Sequence, residues 1–274
     1  MSTPGTNPTT VSEASLPIQV HSMSKADDLS FLGQKAVADA LPDDGDYRIV
    51  GGTMVRLLGL AYPTPQARAR ATVDADTAVD DIKIVWTLAE RLKADDFTQE
   101  GGNLFVKPLE PERRIEVNLL LSRRGTTPGM RQQEVPGVGQ VDTLPELVFA
   151  LAQPALKLAM TVTLTTTDVI EYTTRIPGLE SATVLKAHAW KNRLASRDLV
   201  DLNSLLEIRE AHPHLPWRLS TAPLKATRRE AARILHTLRT NNLSRPSGRG
   251  PSTLPEGIDR LRMAALINRH IAGV

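Results

Sequence analysis

The sequence has 274 residues, of which 41% are hydrophobic and none is cysteine. This length is enough for one or two domains with a sizeable core, and the lack of cysteine excludes disulfides, thiolate metal sites and a cysteine nucleophile. Residues 1–15 lack the basic and apolar segments of a secretory signal, and no apolar run reaches membrane-spanning length. We therefore expect a soluble, cytoplasmic protein with no membrane partner.

The charge is distributed unevenly along the chain. The net charge is +2, but residues 183–274 hold 16 Lys and Arg against 7 Asp and Glu, a net of +9. The rest of the chain has a net charge of −7. A basic back half suits a surface for a polyanion, and it equally suits helices whose arginines merely face solvent. Charge alone leaves both interpretations open.

The first part of the chain reads as a polar tail followed by an α/β domain. Residues 1–16 are predicted to be disordered, and residues 17–176 are predicted to form a mixed sheet with helices. Gly/Pro-rich residues 125–139 are predicted to be a loop. In chain order, the spacing of apolar residues predicts a helix at 30–41, a strand at 48–50, a helix at 53–60, a strand at 71–77, a helix at 81–94, and strands at 102–109, 113–121, 157–165 and 169–175, the last two as a hairpin.

After Pro177-Gly178 the pattern becomes helical. Residues 177–274 are predicted to be a helical C-terminal region with a flexible linker at 240–255. Its helices are predicted at 181–194, 198–211, 224–239 and 258–271. The predicted fold class is therefore α+β.

A Gly-Gly turn follows the strand at 48–50. In Gly51-Gly52-Thr53 the glycines would let backbone amides approach a phosphate at the start of a helix. The motif lacks the further glycines or the lysine of the common nucleotide-binding loops, and Gly-Gly is often only a tight turn.

Two acids one residue apart follow on the next predicted strand. Alternate residues of a strand face the same way, so Asp74 and Asp76 should direct their carboxylates to one spot. Their repulsion would be relieved by a divalent cation placed between them and a substrate phosphate. Exposed acid pairs that are merely solvated are also common.

A third acid lies in an otherwise apolar strand. Glu116 would be costly to bury without a partner or a metal, which makes it a candidate third carboxylate. The alternative is that Glu116 lies on the wet face of an edge strand, paired with Arg114.

The order strand, Gly-Gly, helix, acid-x-acid and later strand acid resembles the polymerase-β-type nucleotidyltransferase fold. The segment from Lys186 through Arg193 to Arg197-Asp198-x-x-Asp201 is similar to the second signature of the AbiEii-type nucleotidyltransferase toxins, with which the MenT toxins belong. These proteins are the toxin halves of bacterial toxin–antitoxin pairs. The resemblance covers roughly residues 45–210.

The resemblance implies transfer of a nucleotide from an NTP to an acceptor, and it assigns roles in the front half. Asp74 and Asp76 would be catalytic and would hold Mg²⁺ or Mn²⁺. The β and γ phosphates would contact the Gly-Gly turn and nearby side chains, and Glu116 would complete the metal site or act as a base. These phosphate ligands would be Gly51, Gly52, Thr53 and Arg56.

In the back half, the resemblance implies a basic wall for the triphosphate. Lys186, Arg193 and Arg197 fall close to one face if the helix runs unbroken. Lys186 and Asp198 would be catalytic, with Asp198 and Asp201 positioning the basic residues or the nucleotide. Arg197-Asp198 also fits a simple cap and ion pair at the start of a new helix.

The implied acceptor is RNA, in particular the 3′ end of tRNA, and the implied protein partner is a cognate antitoxin. RNA phosphates would contact basic residues of the C-terminal region. These are Lys225, Arg228, Arg229 and Arg233. Two alternatives stay open: a nucleotidyltransferase acting on a protein or small-molecule hydroxyl, and a non-catalytic nucleotide-binding module.

Overall fold

A computed structural model describes residues 15–41, 45–68, 72–110, 112–125, 127, 129–244, 254–255 and 257–274. Most of the predicted tail and residues 245–253 of the predicted linker lie outside the described residues. The start of the predicted linker belongs to a π-helical turn (Arg239–Leu243) that follows α7. In chain order the described elements are β1 (Leu16–His21), α1 (Lys25–Ala40), β2 (Tyr47–Ile49), α2 (Gly51–Ala61), β3 (Ala75–Val79), α3 (Ile82–Ala94), β4 (Thr98–Glu100), β5 (Leu104–Glu110), β6 (Arg113–Ser122), β7 (Arg131–Val135), β8 (Gly139–Leu144), α4 (Glu146–Leu151), β9 (Ala155–Thr163), β10 (Val169–Pro177), α5 (Leu179–Arg193), α6 (Ser196–Ala211), α7 (Ala226–Leu238) and α8 (Arg260–His270). The chain is therefore a mixed α+β protein.

A seven-stranded mixed sheet carries the predicted acidic residues. Its strand order is β2-β3-β6-β5-β4, with β8 paired to β6 and β7 paired to β8. β3, β6 and β8 run parallel, and the register sets Asp76 opposite Asn118 and Leu120 opposite Asp142. Since alternate residues of a strand share a face, these four side chains belong to one face of the sheet. The other face, with Ala75, packs against α1.

A second, three-stranded sheet has the order β1-β9-β10. β9 and β10 form the predicted antiparallel hairpin, and β1 pairs in parallel with β9. The sequence prediction is wrong for β1, since it ends the tail at residue 16 and assigns no strand at 16–21. Leu16, Ile18 and Val20 alternate with exposed residues and pack against the core, so β1 has the pattern of a half-buried strand over only six residues and pairs with the distant β9.

The predicted loop at 125–139 is also wrong in part. It contains β7 and leads into β8, which pair antiparallel from Val135 and Gly139 outward. Its glycines serve the turn of this hairpin, where Gly137 has φ of 78° and Gly139 has φ of 98°. Glycine adopts such positive φ values readily, which explains why a true hairpin reads as a loop in the sequence.

The C-terminal helices form where the sequence predicts them and share a second hydrophobic core. α5 and α6 contribute Leu185 and Leu205 to the core under the sheets, and Val184 and Leu206 to the core among the helices. α5 and α6 therefore join the helical region to the sheets through opposite faces. No helix in the described part of the chain combines the length and apolar character needed to cross a bilayer.

Candidate active site

A cavity of about 670 Å³ lies on the sheet face that carries Asp76. The starts of α2 and β3 line one end, and the β4–β5 turn and β8 line the other. α4, α5 and the start of α6 line it as well. Residues from both halves of the sequence therefore meet around one space.

Asp76 packs directly on the first residue of α2. The amide of Val50 donates to the Asp76 carbonyl at 2.8 Å, which ties the start of α2 to β3. Gly51 has φ of 71°, and a Cβ at Gly51 would lie 2.2 Å from Oδ2 of Asp76. The glycine is thus required by the Asp76 carboxylate itself and by the left-handed backbone.

The N-terminus of α2 opens toward the same cavity. No side chain caps this helix, and Gly51 and Gly52 both line the space. Thr53 does not line the cavity, because its buried hydroxyl donates to the carbonyl of Asp74 at 2.9 Å. Thr53 therefore fixes the acid pair, while the amides of the glycines remain the phosphate-binding candidates.

Asp74 and Asp76 both line the cavity, although Asp74 lies just before β3. Oδ1 of Asp74 accepts a hydrogen bond from the Thr72 hydroxyl at 2.8 Å. Burial and the negative charge of Asp74 raise the pKa of Asp76 to about 6, against a hydrogen bond from Asn118 and the charges of Lys186 and Arg193. The raised pKa indicates that negative charge is crowded here and would be relieved by a cation.

Glu116, the predicted third carboxylate, does not line the cavity. Glu116 accepts from Nε of Arg114 at 2.7 Å, and Arg114 also contacts Glu100 at 2.9 Å. Glu116 is absent from the cavity lining, and the residue opposite Asp76 is Asn118, whose Nδ2 lies 3.3 Å from Oδ1 of Asp76. The pairing of Glu116 with Arg114 is therefore observed, although β6 lies between β3 and β5 and is not an edge strand. The strand register places Asn118 beside the acid pair.

Arg56 also lies away from the cavity. Its guanidinium is 2.8 Å from Asp27 and 4.6 Å from the centre of the Phe31 ring, both on α1. The side chain of Arg56 is therefore directed to α1 and not to the cavity where the phosphate contact is predicted.

A buried network of opposite charges forms the wall across from Asp76. Nζ of Lys186 lies 2.6 Å from Asp201 and 3.6 Å from Asp198. Nε and Nη2 of Arg193 each donate to one oxygen of Asp198 at 2.6 Å, a bidentate pair. Asp198 is 0% exposed and Lys186 is 3% exposed. Asp198 therefore contacts two cations and holds the Arg193 guanidinium in a bidentate pair.

Lys186 and Arg197 lie on two successive helices, as the sequence predicts, so the condition of one unbroken helix is not met. α5 ends at Arg193, Leu194 has φ of 49°, and α6 starts at Ser196. Lys186 and Arg193 lie on α5 and Arg197 lies on α6, yet all three line the cavity. The convergence comes from the turn between two helices, not from helical periodicity.

The predicted RNA-binding residues lie on or beside α7, apart from the cavity lining. Arg228 is 2.6 Å from Glu180 and 4.7 Å from the centre of the Phe149 ring. Arg233 pairs with Glu230. Lys225 and Arg229 are exposed. These contacts make Arg228 a structural residue of the helical region as well as a basic one.

Sequence reasoning missed several polar residues of the cavity. Asn118, Asn103 and Asp142 line it, as does Glu146 at the start of α4. Asn118 follows Glu116 by two positions and so shares its strand face, a signal that could have suggested it. Asp142 lies on a strand absent from the prediction, and Asn103 lies in a turn, so neither gave a sequence signal.

Comparison with known proteins adds little to this geometry. No protein-family model matches the sequence, and no curated protein matches it. Among solved structures, the chain is loosely similar to an antigenic nucleotidyltransferase-like protein from Paracoccidioides brasiliensis, with 15% identity, a TM-score of 0.39, and coverage of 90% of this chain and 94% of that chain. A likeness at this level carries no statement about activity or substrate.

Proposed function

We propose that the chain is a metal-dependent nucleotidyltransferase that transfers NMP from an NTP to an RNA acceptor. One observation carries the proposal: the Asp76 carboxylate sits on Gly51 at the open N-terminus of α2, in one cavity with Asp74, Lys186 and Arg193. Carboxylates for a cation, amides for phosphate oxygens and a basic wall are the parts that phosphoryl transfer needs.

The acid pair fits a hard divalent cation. Within the described residues, no group of three or more His, Asp or Glu side chains forms a ready-made metal site. Mg²⁺ is often held by one or two carboxylates together with substrate phosphates and water, which matches a pair such as Asp74 and Asp76. When bound there, the ion would stabilise the negative charge that develops on the phosphates.

The chain's own residues supply the remaining roles. The amides of Gly51 and Gly52 would donate to phosphate oxygens in the favourable field of the helix N-terminus. Lys186 and Arg193 would balance the charge of the departing pyrophosphate from the opposite wall. Asp198 holds Arg193 in place, so the guanidinium needs little reorganisation during the reaction.

The acceptor and the biological role rest on weaker support. The motif resemblance to AbiEii-type and MenT-type toxins favours the 3′ end of tRNA, a block of translation and a cognate antitoxin. The net charge of +9 over residues 183–274 favours a polyanionic acceptor. We propose this toxin role in the cytoplasm together with the transferase activity.

The direct test is a transfer assay with Mg²⁺, each labelled NTP and total tRNA. We expect labelled RNA with wild-type protein, and loss of about 100-fold or more in rate for Asp76→Asn. Asp168→Asn, an exposed aspartate on the β9–β10 turn, is the control and should retain full activity.

The same assay separates the acceptors. If lysate protein or a small-molecule alcohol is labelled and RNA is not, the acceptor is not RNA. The protein would still be a nucleotidyltransferase. If no acceptor is labelled and calorimetry detects no binding of Mg-NTP, the transferase proposal itself is wrong.

A further inference from the structure

The far end of the cavity holds a polar pair that the transfer chemistry does not use. Nδ2 of Asn103 donates to Oδ2 of Asp142 at 3.3 Å, and both residues line the cavity. Asp142 belongs to the same sheet face as Asp76 but lies two strands away. With about 4.8 Å between strands and about 3.3 Å per residue, the two Cα atoms are about 12 Å apart.

That separation is too large for one shared cation. It is comparable to the distance between the triphosphate and the base of an extended nucleotide. A nucleotide whose phosphates lie at Gly51 and Asp76 and which runs along the sheet face would place its base near Asp142.

The Asn103–Asp142 pair is held firmly by the backbone around it. The carbonyl of Asn103 accepts from the amide of Leu119 at 2.8 Å. A Cβ at Gly102 would lie 1.5 Å from the carbonyl oxygen of Gln140, so this turn packs backbone to backbone against β8. Only glycine permits this approach, which fixes Asn103 beside the strand that carries Asp142.

The surroundings suit the flat faces of a base. Leu120 is the cross-strand neighbour of Asp142, Leu144 follows on the same strand face, and both line the cavity together with Met130. Among the described lining residues none is aromatic, so aliphatic side chains would provide the contact area. Apolar walls with a few placed polar groups are typical of ligand pockets.

The hydrogen-bonding groups at this end are mainly acceptors. One N–H of the Asn103 side chain donates to Oδ2 of Asp142, which leaves Oδ1 of Asp142 and Oδ1 of Asn103 to accept and one N–H of Asn103 to donate. A carboxylate accepts from an exocyclic amino group and is repelled by a carbonyl in the same place. Cytosine, adenine and guanine carry such amino groups, and uracil does not.

We propose that Asn103 and Asp142 form the base subsite of this cavity and select nucleotides with an amino-bearing base over UTP. This inference rests on the proposed function, since it places the phosphates at Gly51 and Asp76. Asp142 is thereby a specificity-determining residue, with Asn103 as its positioning partner.

The test is calorimetric binding of non-hydrolysable analogues of the four NTPs to the full chain in the presence of Mg²⁺. The CTP–UTP comparison is the sharpest, because the two bases have the same size and differ only in the amino or carbonyl group on C4 and in the proton on N3. We expect wild-type protein to bind the CTP analogue about fivefold or more tightly than the UTP analogue. Asp142→Asn should bring this ratio close to one, because an amide can turn either its donor or its acceptor toward the base.

Two further variants make the result interpretable. Asn103→Ala should also lower the ratio of the affinities for the CTP and UTP analogues. This variant tests the base subsite if Asp142→Asn does not fold. Asp168→Asn should leave the ratio unchanged. Equal binding of both analogues by wild type, or an equal loss of all four in Asp142→Asn, overturns the base subsite while transfer activity can stand. No binding of any analogue overturns the proposed function and the subsite together.

Discussion

At the scale of single residues, the contact between Asp76 and Gly51 is the most demanding feature of the site. Burial and the charge of Asp74 both disfavour the Asp76 carboxylate, and one of its oxygens occupies the space that a side chain at Gly51 would fill. Each of the two residues therefore constrains the other, and each gives a separate prediction.

Asp76→Asn should stabilise the metal-free protein at neutral pH. The folded pKa of Asp76, about 6, is above its ordinary value of 3.8, so the native state binds more protons than the unfolded state between these values. Stability of the wild type therefore falls as the pH rises from about 4 to 6 and stays lower above that range. Urea unfolding in EDTA should give the variant an advantage of up to about 3 kcal/mol at pH 8.

The advantage should disappear near pH 4, where the wild-type carboxyl is protonated. Added Mg²⁺ at pH 8 should stabilise the wild type and leave Asp76→Asn unchanged. Asp168→Asn should follow the wild type throughout. A variant that is less stable than wild type at pH 8 would contradict the view of Asp76 as a strained, cation-binding acid.

Gly51→Ala should destabilise the protein and abolish transfer, while Gly59→Ala in the same helix should not. The first change puts a Cβ at 2.2 Å from Oδ2 of Asp76 and forces alanine to φ of 71°, whereas a Cβ at Gly59 meets nothing within 4 Å. We expect a loss of about 2 kcal/mol for Gly51→Ala and a gain of about 0.5–1 kcal/mol for Gly59→Ala. Denaturant unfolding and the tRNA-labelling assay measure both effects.

At the scale of elements, the sequence predicts helices better than strands. α3 and the C-terminal helices are recognisable because their apolar spacing is local, and Asp81 caps α3. β7 is not, because the glycines of its hairpin with β8 read as a loop. β1 is not, because it is short and its partner β9 is distant in the sequence. The position of Glu116 also depends on distant pairing, since only the β3–β6 register decides that Asn118 and not Glu116 stands opposite Asp76.

For the candidate site as well, the sequence predicts some features and not others. Gly51, Gly52, Asp74 and Asp76 meet Lys186, Arg193 and Arg197 in one cavity, although their roles stay predictions. Thr53 and Arg56 were assigned by proximity along the chain, and helical rotation turns them elsewhere. Spacing could therefore identify the chemistry of the site but not which neighbours face it.

A substitution in the turn between α5 and α6 should stabilise the protein without loss of transfer activity. Leu194 is 43% exposed and adopts a left-handed φ of 49°, a conformation that glycine takes readily at helix ends. Leu194→Gly should raise the free energy of unfolding by about 0.5 kcal/mol, and Leu194→Val should lower it, because a β-branched side chain tolerates this φ poorly. Thermal unfolding of the two variants tests the sign of each change.

Substitutions in the buried ion-pair network of Lys186, Arg193 and Asp198 should lower the free energy of unfolding far more than substitutions at exposed ion pairs. Asp198 is fully buried between Lys186 and Arg193, so Asp198→Ala leaves cations without their shared partner. We expect a loss of about 3 kcal/mol, compared with less than about 1 kcal/mol for the exposed Arg233→Ala. A similar small loss for both variants would show that Asp198 is not the centre of the network.

At the scale of the whole molecule, the cavity joins the acidic front half of the chain to its basic back half. The sheet supplies Asp74 and Asp76, and α5 and α6 supply the cations that face them. An NTP bound between them would contact both parts, so binding should stabilise the sheets and the helical region together. Lys225 and Arg229 are exposed outside the cavity lining and are the candidates for contact with the acceptor.

The acceptor surface can be tested through salt dependence. Lys225 and Arg229 are exposed, whereas Arg228 is tied to Glu180 and stacked on Phe149. If Lys225 and Arg229 contact RNA phosphates, Lys225→Ala and Arg229→Ala should each weaken tRNA binding and reduce the slope of log K against log salt by about 1. Arg228→Ala should instead lower thermal stability, because it leaves the Glu180 carboxylate without its guanidinium. Filter binding across a salt series, together with thermal unfolding, distinguishes residues that contact RNA from residues that stabilise the fold. If Lys225→Ala and Arg229→Ala leave the salt slope unchanged, the acceptor does not bind at α7.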